Sequence, residues 1–370
     1  MTKKKVLVVD DSAFIRSFIT RQIDADDRLE LLDVAKDGVE AVEKVCKLKP
    51  DVMTLDVEMP RQSGLQALAQ IMEKCPTRIV MVSSLTKEGA LETMKALEMG
   101  AIDFFPKSMD DADTSIFTKG DILAEKIFNA ANVPNIAKMS SNSSAPSVRQ
   151  NQPRHKSAPA PEKTPPPQKT RPQPGSQLRF KKAEVVIIGI STGGPKALHS
   201  IISDFPNVLR APVLIIQHMP PNFTGAMANR MNQLSQLNVV EAEDGMELKS
   251  NYIYIAPGGT QCEVVSKAGR KVFKIAQENT VSLYKPSVEI AANSLHNAYG
   301  GNVVGVMMTG MGHDGIDAFK QLKASGAYVI AQNQETCIVY GMPKAVVDAG
   351  IANEVLPLAE IPSTLERLLS

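Results

Sequence analysis

Thirty-eight consecutive residues, Ser140 to Gln177, hold nine prolines, seven serines and five glutamines, and Val148 is their only aliphatic side chain larger than alanine. Such a stretch cannot bury enough surface to offset the entropy of ordering it. The chain must therefore fold on either side of it. The spacing predicts a first domain over 1–132, a disordered, partly extended linker over 133–180 and a second domain over 181–370. At 370 residues there is chain enough for two cores. The first domain has 18 basic and 23 acidic side chains, whereas residues 140–177 have six and one, so a net charge of +1 conceals an acidic head and a basic tether.

Composition removes several classes of function. Hydrophobic residues at 43% and charged residues at 22% are ordinary globular usage, and 5% aromatics with no Trp leave little for stacking on nucleic acid. Cys46, Cys75, Cys262 and Cys337 form no C-x-x-C pair, so neither a zinc site nor a disulfide framework is expected, as suits a reducing cytosol. The apolar run Val6 to Val9 meets Asp10 too soon for a signal peptide, and no 18-residue apolar stretch occurs. These features predict a cytoplasmic protein without membrane insertion; we expect a monomer.

The first domain alternates short apolar runs with amphipathic ones. Strands are expected over Val6–Val9, Leu29–Val34, Val52–Leu55, Ile79–Val82 and Ile102–Phe105, separated by helices over Ala13–Ile23, Gly38–Lys47, Leu65–Glu73 and Gly89–Glu98. Five such units imply a doubly wound parallel sheet whose chemistry sits at the carboxyl ends of its strands. Asp10, Asp11, Asp56, Ser83 and Lys107 fall there. Three converging carboxylates repel unless a cation lies among them, and an all-oxygen set suits Mg²⁺. Lys107 and Ser83 suit an incoming phosphoryl group.

This constellation resembles that of a response-regulator receiver domain, a flavodoxin-like (βα)5 fold. The resemblance implies that Asp56 is the phosphoacceptor for a chemotaxis histidine kinase and that Asp10, Asp11, Asp56 and the backbone carbonyl of Glu58 hold Mg²⁺. It implies too that Ser83, Phe104 and Lys107 report phosphorylation. Pro106 precedes Lys107 here, where many receivers place proline after it.

In the second domain an apolar strand, Ala183–Ile190, runs into Ser191-Thr192-Gly193-Gly194-Pro195 and then a helix from Lys196. The turn satisfies G-x-S-x-G, the setting of an exposed nucleophile. Taken alone, a glycine-rich turn suits a phosphate equally well, although neither nucleotide-loop pattern is matched. Two further strands change the balance. Pro212–Ile216 leads to His218, and Val303–Thr309 opens into Gly310-Met311-Gly312-His313-Asp314, so Ser191, His218 and Asp314 stand at three strand ends, as a nucleophile, its base and the base's orienting carboxylate require. His155 falls in the linker, His199 and His296 fall within helical patterns, and His313 is read as a loop residue.

The motifs G-I-S-T-G-G, Q-H-M-P-P-x-F-T, Y-I-A-P-G, K-P-S-V-E and M-T-G-M-G-H-D-G together resemble the catalytic domain of the CheB family. A doubly wound, mostly parallel α/β hydrolytic domain is implied, acting as a protein-glutamate methylesterase and glutamine deamidase on the cytoplasmic domains of methyl-accepting chemoreceptors. Its catalytic residues would be Ser191, His218 and Asp314, with Thr192 and Met311 beside the oxyanion or substrate. No cofactor is implied for this half; Mg²⁺ serves the receiver alone. Gln261 and Lys285 depart from the family's common A-P-G-x-x-H and R-P-S-V and bear on substrate recognition. Two other classes remain: a phosphorylation-controlled adaptor without catalysis, and a transcriptional regulator, which a charge-neutral second domain lacking a helix-turn-helix disfavours.

Overall fold

A computed structural model describes residues 2–107, 116–133, 182–276 and 282–370, with side chains of 116–121 excluded. The Pro/Ser/Gln-rich stretch expected as a linker lies outside the described residues.

In the first half β1 (Lys4–Val9), β2 (Leu29–Ala35), β3 (Val52–Asp56), β4 (Ile79–Ser84) and β5 (Asp103–Lys107) form a parallel sheet of order β2-β1-β3-β4-β5. Around it pack α1 (Ala13–Asp24), α2 (Gly38–Leu48), α3 (Gly64–Lys74), α4 (Lys87–Glu98) and α5 (Ile116–Ala131). Val6, Leu7, Val8 and Val9 are all buried, as a strand covered on both faces requires. The helices start where their sequences supply caps: Ser12 for α1, Asp37 for α2, a Ser63–Gln66 capping box for α3 and Thr86 for α4. Pro106 lies inside β5, with Ser83 of β4 as its register partner.

The expectation of no disulfide is corrected. Cys46 on α2 is bonded to Cys75 at the end of α3, with Cα atoms 5.4 Å apart. A sequence separation of 29 hides the fact that the two helices pack side by side.

The second half is a seven-stranded, wholly parallel sheet of order β14-β13-β12-β6-β7-β9-β8 with an appended antiparallel hairpin. Its strands are β6 (Val185–Ile190), β7 (Val213–Gln217), β8 (Asn238–Glu241), β9 (Tyr252–Ile255), β12 (Val303–Met307), β13 (Tyr328–Gln332) and β14 (Glu354–Leu356). The hairpin is β10 (Gln261–Lys267) and β11 (Arg270–Ala276). Helices α6 (Gly194–Ile201), α7 (Phe223–Leu234), α8 (Val288–Tyr299), α9 (Ile316–Ala324), α10 (Met342–Asp348) and α11 (Ile361–Leu369) cover the sheet.

After β6 the chain winds outward through β7, then returns to pair β12 on the other side of β6. The strand order reverses there, which opens a crevice at the carboxyl ends of β6 and β12. In the first half the same reversal falls between β1 and β3, beside Asp10 and Asp56. Topology therefore puts each cluster of polar residues at its own switch point.

The two halves touch. One apolar cluster runs from Met53, Met94 and Phe104 to Phe223, Met227 and Ile201. Phe104 of β5 stacks on Phe223 of α7, with ring centroids 4.7 Å apart and planes 6° from parallel.

Candidate active site

Ser191 and His218 follow β6 and β7 directly, and Asp314 stands on the loop that leads from β12 to α9. Ser191 N–H donates to the Thr309 carbonyl (3.0 Å) and His218 N–H to the Ile190 carbonyl (3.2 Å), so the sheet's own ladder carries both residues to the crevice. Gly310 makes the close approach possible, because a Cβ there would meet the Ser191 Cβ at 2.8 Å. Thr309 braces the turn: its hydroxyl donates to the Thr192 carbonyl (3.0 Å), and its N–H donates to Gln332 Oε1 (2.8 Å). Gln217 Nε2 donates to the Ser191 carbonyl (3.0 Å).

His218 Nε2 lies 2.8 Å from Asp314 Oδ2, and the pair is almost fully shielded from water. His218 Nδ1 is buried and has no hydrogen-bond partner. No hydrogen bond joins Ser191 Oγ to His218, so Nδ1 is the nitrogen left to serve the hydroxyl; such contacts commonly tighten only when substrate is bound. Asp314 sits at the start of α8, where it accepts from Val288 N–H (2.6 Å), Ser287 Oγ (2.9 Å) and Glu289 N–H (3.2 Å). A helix N-terminus favours a negative charge. Burial works to raise this carboxyl, but the bonds from His218, Val288 and Ser287 outweigh it and hold the group below its usual 3.8.

That direction fixes an acid limb of stability. The ionised Asp314 contributes fully above about 3.8, its unfolded value, and the contribution is lost as pH falls through the lower folded value. The melting temperatures of wild type and Asp314→Asn should therefore converge between pH 6 and pH 3. A gap that stays constant over that range would contradict the assignment.

Thr192 is buried behind the turn, and Met311 is half-buried on the loop before Asp314. His313 points to solvent. His199 lies 3.5 Å from Glu98, and His296 bonds Ser325 Oγ at 2.7 Å. Neither joins the crevice cluster.

Sequence reasoning missed Tyr284. Its ring stacks on His218 at 4.2 Å and 13°, shielding one face of the imidazole. Burial, and then the Asp314 charge, raise its hydroxyl pKa. Gln261, expected to bear on substrate, is 1% exposed and bonds the backbone of Tyr284 and Ser287. Lys285 is exposed, and its carbonyl accepts from Gly259 N–H (3.0 Å).

In the first half, Lys107 Nζ lies 2.9 Å from Asp10 Oδ2 and 2.7 Å from Asp56 Oδ2. Carboxylate oxygens of Asp10, Asp11 and Asp56 fall within 4.8 Å of one another, at an open cleft that Glu58 also lines. Burial, then repulsion from Asp10, pushes Asp56 up to about 6. The buried carboxylates of Asp10 and Asp56, partly neutralised by Lys107, and the exposed Asp11 together offer the hard oxygen donors that Mg²⁺ takes. Ser83 is buried and donates to the Gly89 carbonyl (3.1 Å).

Contacts between the halves border the crevice. Asn222, four residues past His218, donates to the Leu85 carbonyl (2.8 Å), two residues past Ser83. Arg230 grips Glu98 through two nitrogens. Asn129 of α5 reaches Met311 Sδ (3.9 Å), and Ile338, against which Gly193 packs, joins the apolar cluster that includes Val8 and Phe105.

A model of the CheB methylesterase domain matches residues 186–365, and one of the response regulator receiver domain matches residues 6–115. A protein-glutamate methylesterase/protein-glutamine glutaminase of Lawsonia intracellularis is 40% identical over 357 residues, covering 96% of this chain and 97% of its own. One of the same name from Archaeoglobus fulgidus is 42% identical over 366 residues, covering 99% and 98%. The chain belongs to the CheB methylesterase family. The CheB methylesterase domain stands behind a receiver on one chain, and no described helix is long and apolar enough to cross a membrane.

Proposed function

We propose that this protein hydrolyses γ-glutamyl methyl esters on the cytoplasmic domains of chemoreceptors, and deamidates particular glutamines there, under control of its receiver. The observation that carries the reading is the shielded His218–Asp314 pair beside Ser191 at the switch point. The relatives' shared name supplies the substrate class. Ser191, His218 and Asp314 act as nucleophile, general acid/base and orienting carboxylate.

His218 Nδ1 takes the hydroxyl proton as Ser191 Oγ attacks the carbonyl carbon, while Asp314 stabilises the imidazolium through Nε2–H. Loop amides around Thr192 and Met311 face the oxyanion. His218 returns the proton to the leaving methoxide or amine, releasing methanol or ammonia. Water, deprotonated by the same nitrogen, then attacks the acyl-enzyme, and the glutamate side chain and free Ser191 result.

The domains take the bounds 1–132, 133–180 and 181–370. Asp56 accepts the phosphoryl group from a histidine kinase, with Lys107 paired to it. Asp10, Asp11, Asp56 and the Glu58 carbonyl would hold Mg²⁺, which supplies charge neutralisation for phosphoryl transfer when bound. Ser83, Phe104 and Lys107 transmit the change. Phe104 is stacked on Phe223, and Leu85 is bonded to Asn222, so rearrangement at the strand ends of β4 and β5 acts on the contacts that hold the receiver beside the crevice. Phosphorylation shifts docking only by its differential free energy between the two states.

The test is methanol release from a methyl-labelled receptor fragment, with and without a small-molecule phosphodonor. The unphosphorylated full chain should be slower than the phosphorylated one and slower than a fragment of residues 181–370. Asp56→Ala should stay at the basal level under both conditions. Arg230→Ala with Asn222→Ala should raise the unphosphorylated rate several-fold, because each removes a tie across the seam. Equal rates for fragment and full chain would reject restraint by docking.

A further inference from the structure

His218 is held on two sides. Asp314 fixes Nε2 at 2.8 Å, and Tyr284 covers a ring face at 4.2 Å. Both supports hang from one short segment: Tyr284 begins it, and Ser287, which donates to Asp314 Oδ1, ends it. Gln261, at the start of β10, spans that segment from behind. Its Nε2 donates to the Tyr284 carbonyl (2.7 Å), and its Oε1 accepts from Ser287 N–H (3.0 Å). A second tie from the same turn, Gly259 N–H to the Lys285 carbonyl, holds the middle of the segment.

We propose that Gln261 is a positioning residue that sets the imidazole of His218 by fixing both the ring that stacks on it and the Ser287 end of the segment, which donates to the Asp314 carboxylate. The inference rests on the reading of Ser191, His218 and Asp314 given above. A primary amide offers one donor edge and one acceptor edge in a single plane, which is what the two backbone groups require. Gln261 is almost completely buried, so loss of either bond leaves a backbone group with no water to replace it. The segment would then relax, and the tilt of His218 with it. Displacements of about 1 Å at a catalytic base can slow a reaction by up to about a hundredfold.

The test uses the full chain with a phosphodonor. Gln261→Met keeps the length of the side chain and removes both bonds. It should slow labelling of Ser191 by a fluorophosphonate, and kcat for methanol release, by roughly tenfold or more, with KM within about twofold. Gln261→His should restore most of the rate, since a neutral imidazole also carries one donor and one acceptor. If Gln261→Met does not fold, Gln261→Asn, which keeps the amide but shortens its reach, should show the same loss in kcat. Failure of the wild type to label at Ser191 would overturn the triad and this inference together. Labelling that Gln261→Met leaves at the wild-type rate, or a loss no larger than its loss of folded protein, would overturn this inference alone.

Discussion

Ser191→Ala should lower methanol release from a methylated receptor by roughly four to six orders of magnitude, while the protein remains folded and Asp56 remains phosphorylatable. The size of the effect follows from chemistry. In the proposed mechanism Ser191 Oγ forms the covalent bond, and no neighbouring hydroxyl occupies its place, since the Thr192 side chain is buried and Thr309 Oγ1 is engaged with the Thr192 carbonyl. Structural damage should be small, because only one oxygen is lost and the Ser191 backbone keeps its bonds to Thr309 and Gln217. Turnover within a few fold of wild type would reject Ser191 as nucleophile. Phosphorylation measured on the same variant separates the two halves: a variant unable to accept phosphate at Asp56 would indicate a folding defect instead.

Removing the base or its partner should come next in magnitude. Asp314→Asn keeps the size of the side chain but presents an amide where His218 Nε2–H and two backbone amides require acceptors. In a serine–histidine–aspartate system this change costs roughly 10⁴ in kcat, chiefly by favouring the wrong tautomer. His218→Gln removes the base outright and should cost more. His313→Ala, whose side chain faces solvent, should stay within about twofold. Steady-state kinetics on the three variants decides the matter. A larger loss for His313→Ala than for His218→Gln would mean that the wrong histidine has been assigned.

The parts of the site that were legible in the sequence share one property. Asp10, Asp56, Ser191, His218 and Asp314 each follow a short apolar run, and the carboxyl end of a buried parallel strand is where such a fold exposes polar groups. Tyr284, Ser287 and Gln261 were not legible as supports, because their roles arise from tertiary placement. The turn before β10 and the start of α8 are separated in the chain from β12, and only the sheet's reversal brings them against the Asp314 loop. Gln261 read only as a departure bearing on substrate recognition, because nothing local marks it as buried. The Cys46–Cys75 bond escaped for the same reason, being carried by two helices whose adjacency depends on the winding of the sheet. The seam between the halves rests on Glu98, Arg230 and Asn222, residue types that on a helix face or helix cap ordinarily meet water.

The Phe104–Phe223 stack gives that seam a thermal character. Apolar contacts near room temperature are held together mainly by the entropy of released water, so they loosen on cooling, whereas the Arg230–Glu98 pair answers chiefly to salt. If docking restrains the enzyme as proposed, a receiver latched in this way would hold it less firmly in the cold. An organism growing at low temperature would then see adaptation drift toward independence from the kinase, in proportion to how much of the latch is aromatic and how little is ionic.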